Sequence, residues 1–115
     1  MTSHDVIIKN EIMNGGSSIH LYYDKMYGAY VAYGFSAFIA LYLCKLAEEP
    51  LKASYSLPFQ MPVVSINRYQ IGILREKGIL LTSSPDKQYY HIQSSVEVDM
   101  QGYEEWANFL REFKG

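Results

Sequence analysis

Only one cysteine, Cys44, occurs in the 115 residues. That excludes an intramolecular disulfide and any metal cluster built on several thiolates, and it fits a reducing compartment. Charge is also scarce, at 19% of residues against about a quarter in an average globular chain. The net charge of −2 lacks the basic balance that counterion release on nucleic acid rewards. The opening stretch MTSHDVIIKNEI sets Asp5, Lys9 and Glu11 among its aliphatics. It has neither the basic start nor the apolar core of a signal peptide. No G-x-S-x-G, P-loop or G-x-G-x-x-G spacing is present. No catalytic, cofactor or metal residues are therefore assigned, and a non-enzymatic role is expected.

What the chain does have is tyrosine, 11 of 115 residues, within an apolar content of 49%. Tyrosine supplies ring area and a hydroxyl together, a combination suited to contact surfaces. The chain also has one uncharged run, Met26–Cys44 (MYGAYVAYGFSAFIALYLC), of nearly membrane-spanning length. Two periods divide it. Ala29, Val31 and Tyr33 alternate as in a strand, then Phe35, Phe38, Ile39, Tyr42, Leu43 and Leu46 recur as in a helix. A spanning helix has no use for an alternating half, so the run reads as strand, a corner at Gly34, and helix. Tyr33 and Phe38 are expected to face one core.

The remaining elements follow from the same periodicities. Val6–Ile12 reads as a first strand, and Asn14-Gly15-Gly16-Ser17 as a turn. In residues 18–24, Ile19, Leu21 and Tyr23 alternate with polar neighbours. LKASYSLPFQMP (51–62) reads as a connector interrupted by Pro58 and Pro62, and Val63–Ile66 as a short strand. Asn67 and Gln70 form an N-x-x-Q capping box opening a helix that stops at Gly78. Gly72 inside that helix costs about 1 kcal/mol relative to alanine. Residues 79–82 and 88–98 form a C-terminal hairpin. Gly102–Lys114 is an amphipathic helix burying Tyr103, Trp106, Ala107, Leu110 and Phe113.

Charge is unevenly spread. Residues 65–92 carry Arg68, Arg75, Lys77 and Lys87 against two acids, and residues 93–115 carry five acids against Arg111 and Lys114. His20 and Asp24 share a strand face about 13 Å apart. His91 could join His20 only if their strands pair, in a site completed by Asp24 or Glu97. Unrelated surface polar groups are the simpler reading of these residues. Cys44 lies beside its helix stripe as a buried structural thiol.

The stretch Leu74–Ile92, LREKGILLTSSPDKQYYHI, resembles the end of a recognition helix and the wing hairpin of winged-helix regulators. Helix, glycine, aliphatic strand, polar turn and Tyr-rich strand follow in that order. The resemblance implies that Arg68 and Arg75 face phosphates or base edges, with Lys87 reaching the backbone from the wing tip. It departs from the pattern upstream, where Pro58 and Pro62 occupy the place of the preceding helix.

The expected architecture is thus one α+β domain spanning 1–115. A mostly antiparallel sheet, made of an N-terminal meander and a C-terminal hairpin, packs against about three helices near 35–48, 67–77 and 102–113. The expected function is protein interaction or self-assembly in the cytoplasm through a Tyr-rich surface, with Tyr22, Tyr30, Leu41 and Tyr89 as contacts. The partner is a protein or a second copy, not a membrane. The alternative is a nucleic-acid-binding protein using residues 65–92.

Overall fold

The computed structural model describes residues 4–113, with side chains to Glu112. Among them are four helices and six strands. The helices are α1 (His4–Ile12), α2 (Gly34–Leu46), α3 (Arg68–Lys77) and α4 (Met100–Phe113). The strands are β1 (Ser18–Asp24), β2 (Ala29–Tyr33), β3 (Ala53–Ser56), β4 (Met61–Ile66), β5 (Gly78–Ser83) and β6 (Tyr89–Ser94). All pairings are antiparallel, in the order β3-β4-β2-β1-β6-β5. The α+β class with an antiparallel sheet is as expected, with one helix more than anticipated.

The extra helix corrects the first strand. Val6, Ile7 and Ile8 favour β structure locally, but both sides of β1 are taken, by β2 and β6. The segment coils instead, and Ile7, Glu11 and Asn14 are buried at i, i+4 and i+7. The connector 51–62 also needs correction, because it contains β3 and the start of β4. Pro62 pairs with Tyr55 of β3, while β2 has already ended at Tyr33, opposite Val63. Its missing N–H therefore interrupts no ladder on that side. At the other end β6 stops at Ser94 rather than at residue 98. Ser94 Oγ turns to the Val96 carbonyl (2.6 Å), and Val98 N–H donates to the Gly16 carbonyl (3.1 Å).

The sheet is covered on both faces. On one, Ile19, Leu21, Ala32, Val64, Ile66 and Ile92 meet the buried side of α2 and Leu74 of α3. On the other, Tyr22, Val31 and Tyr33 meet Ile7 of α1 and Phe59 of the 57–60 turn. Tyr33 and Phe38 are thus separated by the sheet. Phe38 leans on Trp106 and Tyr103 of α4 at 5.1 and 5.9 Å between centroids.

Helix α2 faces the sheet with half of the stripe its sequence suggests, Phe35, Ile39 and Leu43, and with the small residues beside it. Ala37, Ala40, Leu43 and Cys44 are completely buried, whereas Tyr42 and Leu46 are 43% and 53% exposed. Small residues let the helix approach the sheet closely, and of the bulky stripe only Tyr42 and Leu46 turn out to the flank. Gly34 forms the corner as expected, with φ of +58°, a left-handed geometry that glycine adopts without cost. Helix α3 is capped as its sequence predicts. Asn67 Oδ1 accepts from Gln70 N–H (2.8 Å), and Gln70 Oε1 accepts from Asn67 N–H (3.0 Å). It runs straight into β5 at Gly78, where an added Cβ would lie 2.7 Å from Ile92 Cγ2. In α4, Tyr103 stacks on Phe35 and Leu110 is buried; the Phe113 side chain and Lys114 lie outside the described residues. No helix among the described residues is long and apolar enough to cross a membrane.

Candidate functional site

Arg68, Ile71, Gly72 and Arg75 fall at i, i+3, i+4 and i+7 of α3, hence on one face. That face looks toward the β5–β6 hairpin. Between them lies a cleft of about 320 Å³. Tyr30, Tyr90 and Leu81 complete its apolar wall and Lys87 stands at the hairpin end. The three cations named from sequence as nucleic-acid contacts therefore converge on one concavity. None of the described residues lining it is acidic.

The hairpin tip is built to hold Lys87 there. Ser84 and Asp86 brace the turn: Ser84 Oγ donates to Asp86 Oδ1 (2.6 Å), and Asp86 Oδ1 accepts from Gln88 N–H (3.1 Å). These bonds hold the Asp86 carboxyl below the usual carboxylate range, the Ser84 hydroxyl contributing most. Lys87 has φ of +59°, a left-handed conformation costing a non-glycine residue about 1–2 kcal/mol. Its carbonyl accepts the Tyr30 hydroxyl (2.8 Å), and its Nζ donates to Ser83 Oγ (3.0 Å). Tyr30 meets Tyr90 edge to face at 5.2 Å. Burial and Tyr90 both raise the Tyr30 phenol pKa, against the opposing pull of Arg68.

The Tyr-rich contact surface is distributed differently from expectation. Tyr22 is 3% exposed and Tyr30 8%, so neither offers a ring face to a partner. Tyr22 accepts a hydrogen bond from Asn10 Nδ2 (2.8 Å) under α1. Tyr89 is half-buried. Leu41 is also half-buried and borders a broad groove of about 1020 Å³ shared with Trp106 and Leu110. Helix α2 is enclosed by its own chain at Cys44, whose thiol is pushed up to about 11 by burial, with Glu49 adding to the effect.

The two histidines do meet. His20 and His91 are register partners, and their rings stack 4.8 Å apart. His20 Nδ1 lies 2.6 Å from the Tyr89 hydroxyl, and His91 Nε2 lies 3.1 Å from Ser18 Oγ. Burial, reinforced by the neighbouring His91, lowers the His20 pKa to about 4. Asp24 does not join them. Its Oδ1 accepts the N–H groups of Met26 and Tyr27 in the β1–β2 turn. Among the described residues no group of three His, Cys, Asp or Glu side chains is placed to hold a metal ion.

The winged-helix resemblance is confined to the α3–β5–β6 unit. The element before α3 is β4, an inner strand of the sheet rather than a packed helix. No protein-family model, curated protein or solved structure matches the chain significantly.

Sequence reasoning missed the cleft's apolar half. Gly72 read only as a weak point in a helix, and residue 90 only as part of the C-terminal hairpin. The available signal was the spacing of Arg68, Gly72 and Arg75, which clears space between two cations on one helical face.

Proposed function

We propose that this protein is a non-enzymatic binding module whose cleft between α3 and the β5–β6 hairpin receives an anionic group of its ligand. One observation carries the reading: Arg68, Arg75 and Lys87, from two separate elements, line a single concave site with no acid among its described lining residues. Exposed guanidinium and ammonium groups lining one concavity favour carboxylate or phosphate. The left-handed Lys87 adds weight, since backbone strain tends to persist where a group must be held in place. The buried, single thiol fits the reducing interior of a cell, where we place the module.

The test is calorimetric titration with inorganic pyrophosphate at low salt. Binding should weaken about tenfold in Arg75→Ala and again in Lys87→Gly, the size of one charge-assisted hydrogen bond. It should also fall as salt rises. Absence of any binding by the wild-type chain would remove the reading.

A second reading, self-assembly, rests on a different place. β5 is an edge strand on which Ile79 and Leu80 are 67% and 58% exposed. An uncovered apolar edge is a template for pairing with a second copy. Sedimentation of a strict monomer at 100 µM (roughly the upper working range) would count against it, as would no effect of Leu80→Lys on a dimer.

A further inference from the structure

We infer that the ligand of this cleft is a nucleoside phosphate, as a free nucleotide or as the phosphorylated end of a single strand. The inference rests on the anion-binding reading and adds a second half to the ligand. A bare anion would satisfy the cations and leave the rest of the cleft unfilled. At about 320 Å³, the site falls at the low end of the roughly 300–1,000 Å³ usual for small organic ligands. Its walls are Tyr90, Ile71, Leu81 and the bare backbone of Gly72. Aromatic and aliphatic walls beside cations suit a flat ring joined to phosphate.

The layout of charge agrees. Arg68 and Arg75 stand two helical turns apart, about 10 Å along the axis, and Lys87 approaches from the opposite element. Cations so spread line the rim of an extended ligand rather than surround one small ion. Gly72 lies between the two arginines, where an added Cβ would meet nothing within 4 Å. That gap is the space into which a ring can slide. The walls are tyrosine and aliphatic side chains, so bases should be distinguished weakly, as in stacking-based recognition. The occupant's depth is limited by Tyr30, fixed through its hydroxyl to the Lys87 carbonyl.

The experiment compares the full-length chain against four probes by calorimetry: pyrophosphate, adenosine, ADP and 5′-phosphorylated pentadeoxyadenylate. ADP or the oligonucleotide should bind at least about tenfold more tightly than pyrophosphate, the gain expected for one stacked base. Whichever of the two is tighter names the source, and either result supports the inference. Gly72→Leu keeps all three cations while filling the gap. It should abolish the preference for the nucleotide over pyrophosphate, both measured on the same variant. Lys87→Gly should weaken every phosphate probe while the fold, followed by circular dichroism, is retained, because glycine accepts the left-handed backbone. Pyrophosphate, ADP and oligonucleotide binding equally well would overturn the inference and leave the anion site standing. Failure of all three would overturn both.

Discussion

Glu11 of α1 caps α2 across the structure through Ser36. The Ser36 N–H donates to Glu11 Oε1 (3.0 Å) and the Ser36 hydroxyl to Oε2 (2.5 Å). The residue preceding α2, Tyr33, makes no side-chain cap of its own, so a carboxylate from another helix satisfies the free N–H groups and sits at the positive end of the dipole. Asn14 joins them: Nδ2 donates to Glu11 Oε1 (3.4 Å) and to the Ser18 carbonyl (2.7 Å). Ser36 Oγ also accepts the His20 N–H (2.8 Å). One buried carboxyl thereby ties α1, β1 and α2 together.

This arrangement has a pH signature. Burial raises the Glu11 pKa from 4.5 to about 7, with the Ser36 and Asn14 bonds opposing. A raised acid binds its proton more tightly folded than unfolded, so its contribution is complete below pH 4.5 and gone above about 7. Between those limits wild type should lose up to about 3 kcal/mol relative to Glu11→Gln. Urea unfolding of both proteins from pH 4 to 8 checks it. Parallel profiles would show that the carboxyl is not desolvated.

His20 should give the opposite slope. Its pKa falls from 6.5 to about 4 on folding, so its stabilisation is complete above 6.5 and is lost as pH drops through 4. Relative to His20→Asn, wild type should gain stability as pH rises from 4 to 6.5. The two slopes oppose each other between about pH 4.5 and 6.5, so each is read against its own substitution. Histidine NMR titration reads the His20 value directly.

Two glycines should respond in opposite directions to alanine. At Gly78 the new Cβ would lie 2.7 Å from Ile92 Cγ2 and 2.9 Å from the Leu74 carbonyl oxygen. Overpacking against backbone should cost about 2 kcal/mol or more. At Gly72 nothing lies within 4 Å, and the helix should gain about 1 kcal/mol. Chemical denaturation distinguishes them; equal effects would contradict the geometry.

The capping box offers a further check. Asn67→Ala removes the acceptor for Gln70 N–H and should cost about 1 kcal/mol. Because α3 carries Arg68 and Arg75, fraying its first turn should weaken pyrophosphate binding more at Arg68 than at Arg75. A double-mutant cycle with Arg68→Ala would show coupling, and one with Arg75→Ala near additivity.

Cys44 should be inert while the chain is folded. With a fully buried thiol whose pKa is about 11, alkylation by iodoacetamide at pH 8 should proceed only through unfolding. Modification at the rate of a free thiol would mean that α2 is not enclosed by its own chain.

Much of this was determined by local sequence. The alternation of Ile19 and Leu21, the Asn67–Gln70 box and the corner at Gly34 are short-range preferences, and each acts within a few residues of its cause. The same holds for Arg68 and Arg75, which share a face through helical periodicity alone. Tertiary structure decided what local preference left open. Val6–Ile8 became helix because both neighbours of β1 were already taken, and Tyr22 and Tyr30 were buried because the sheet is covered on both faces. The meeting of His20 with His91, of Glu11 with Ser36, and of Lys87 with α3 depends on strand order. Strand order is a competition among distant hydrogen-bonding edges, which periodicity does not encode.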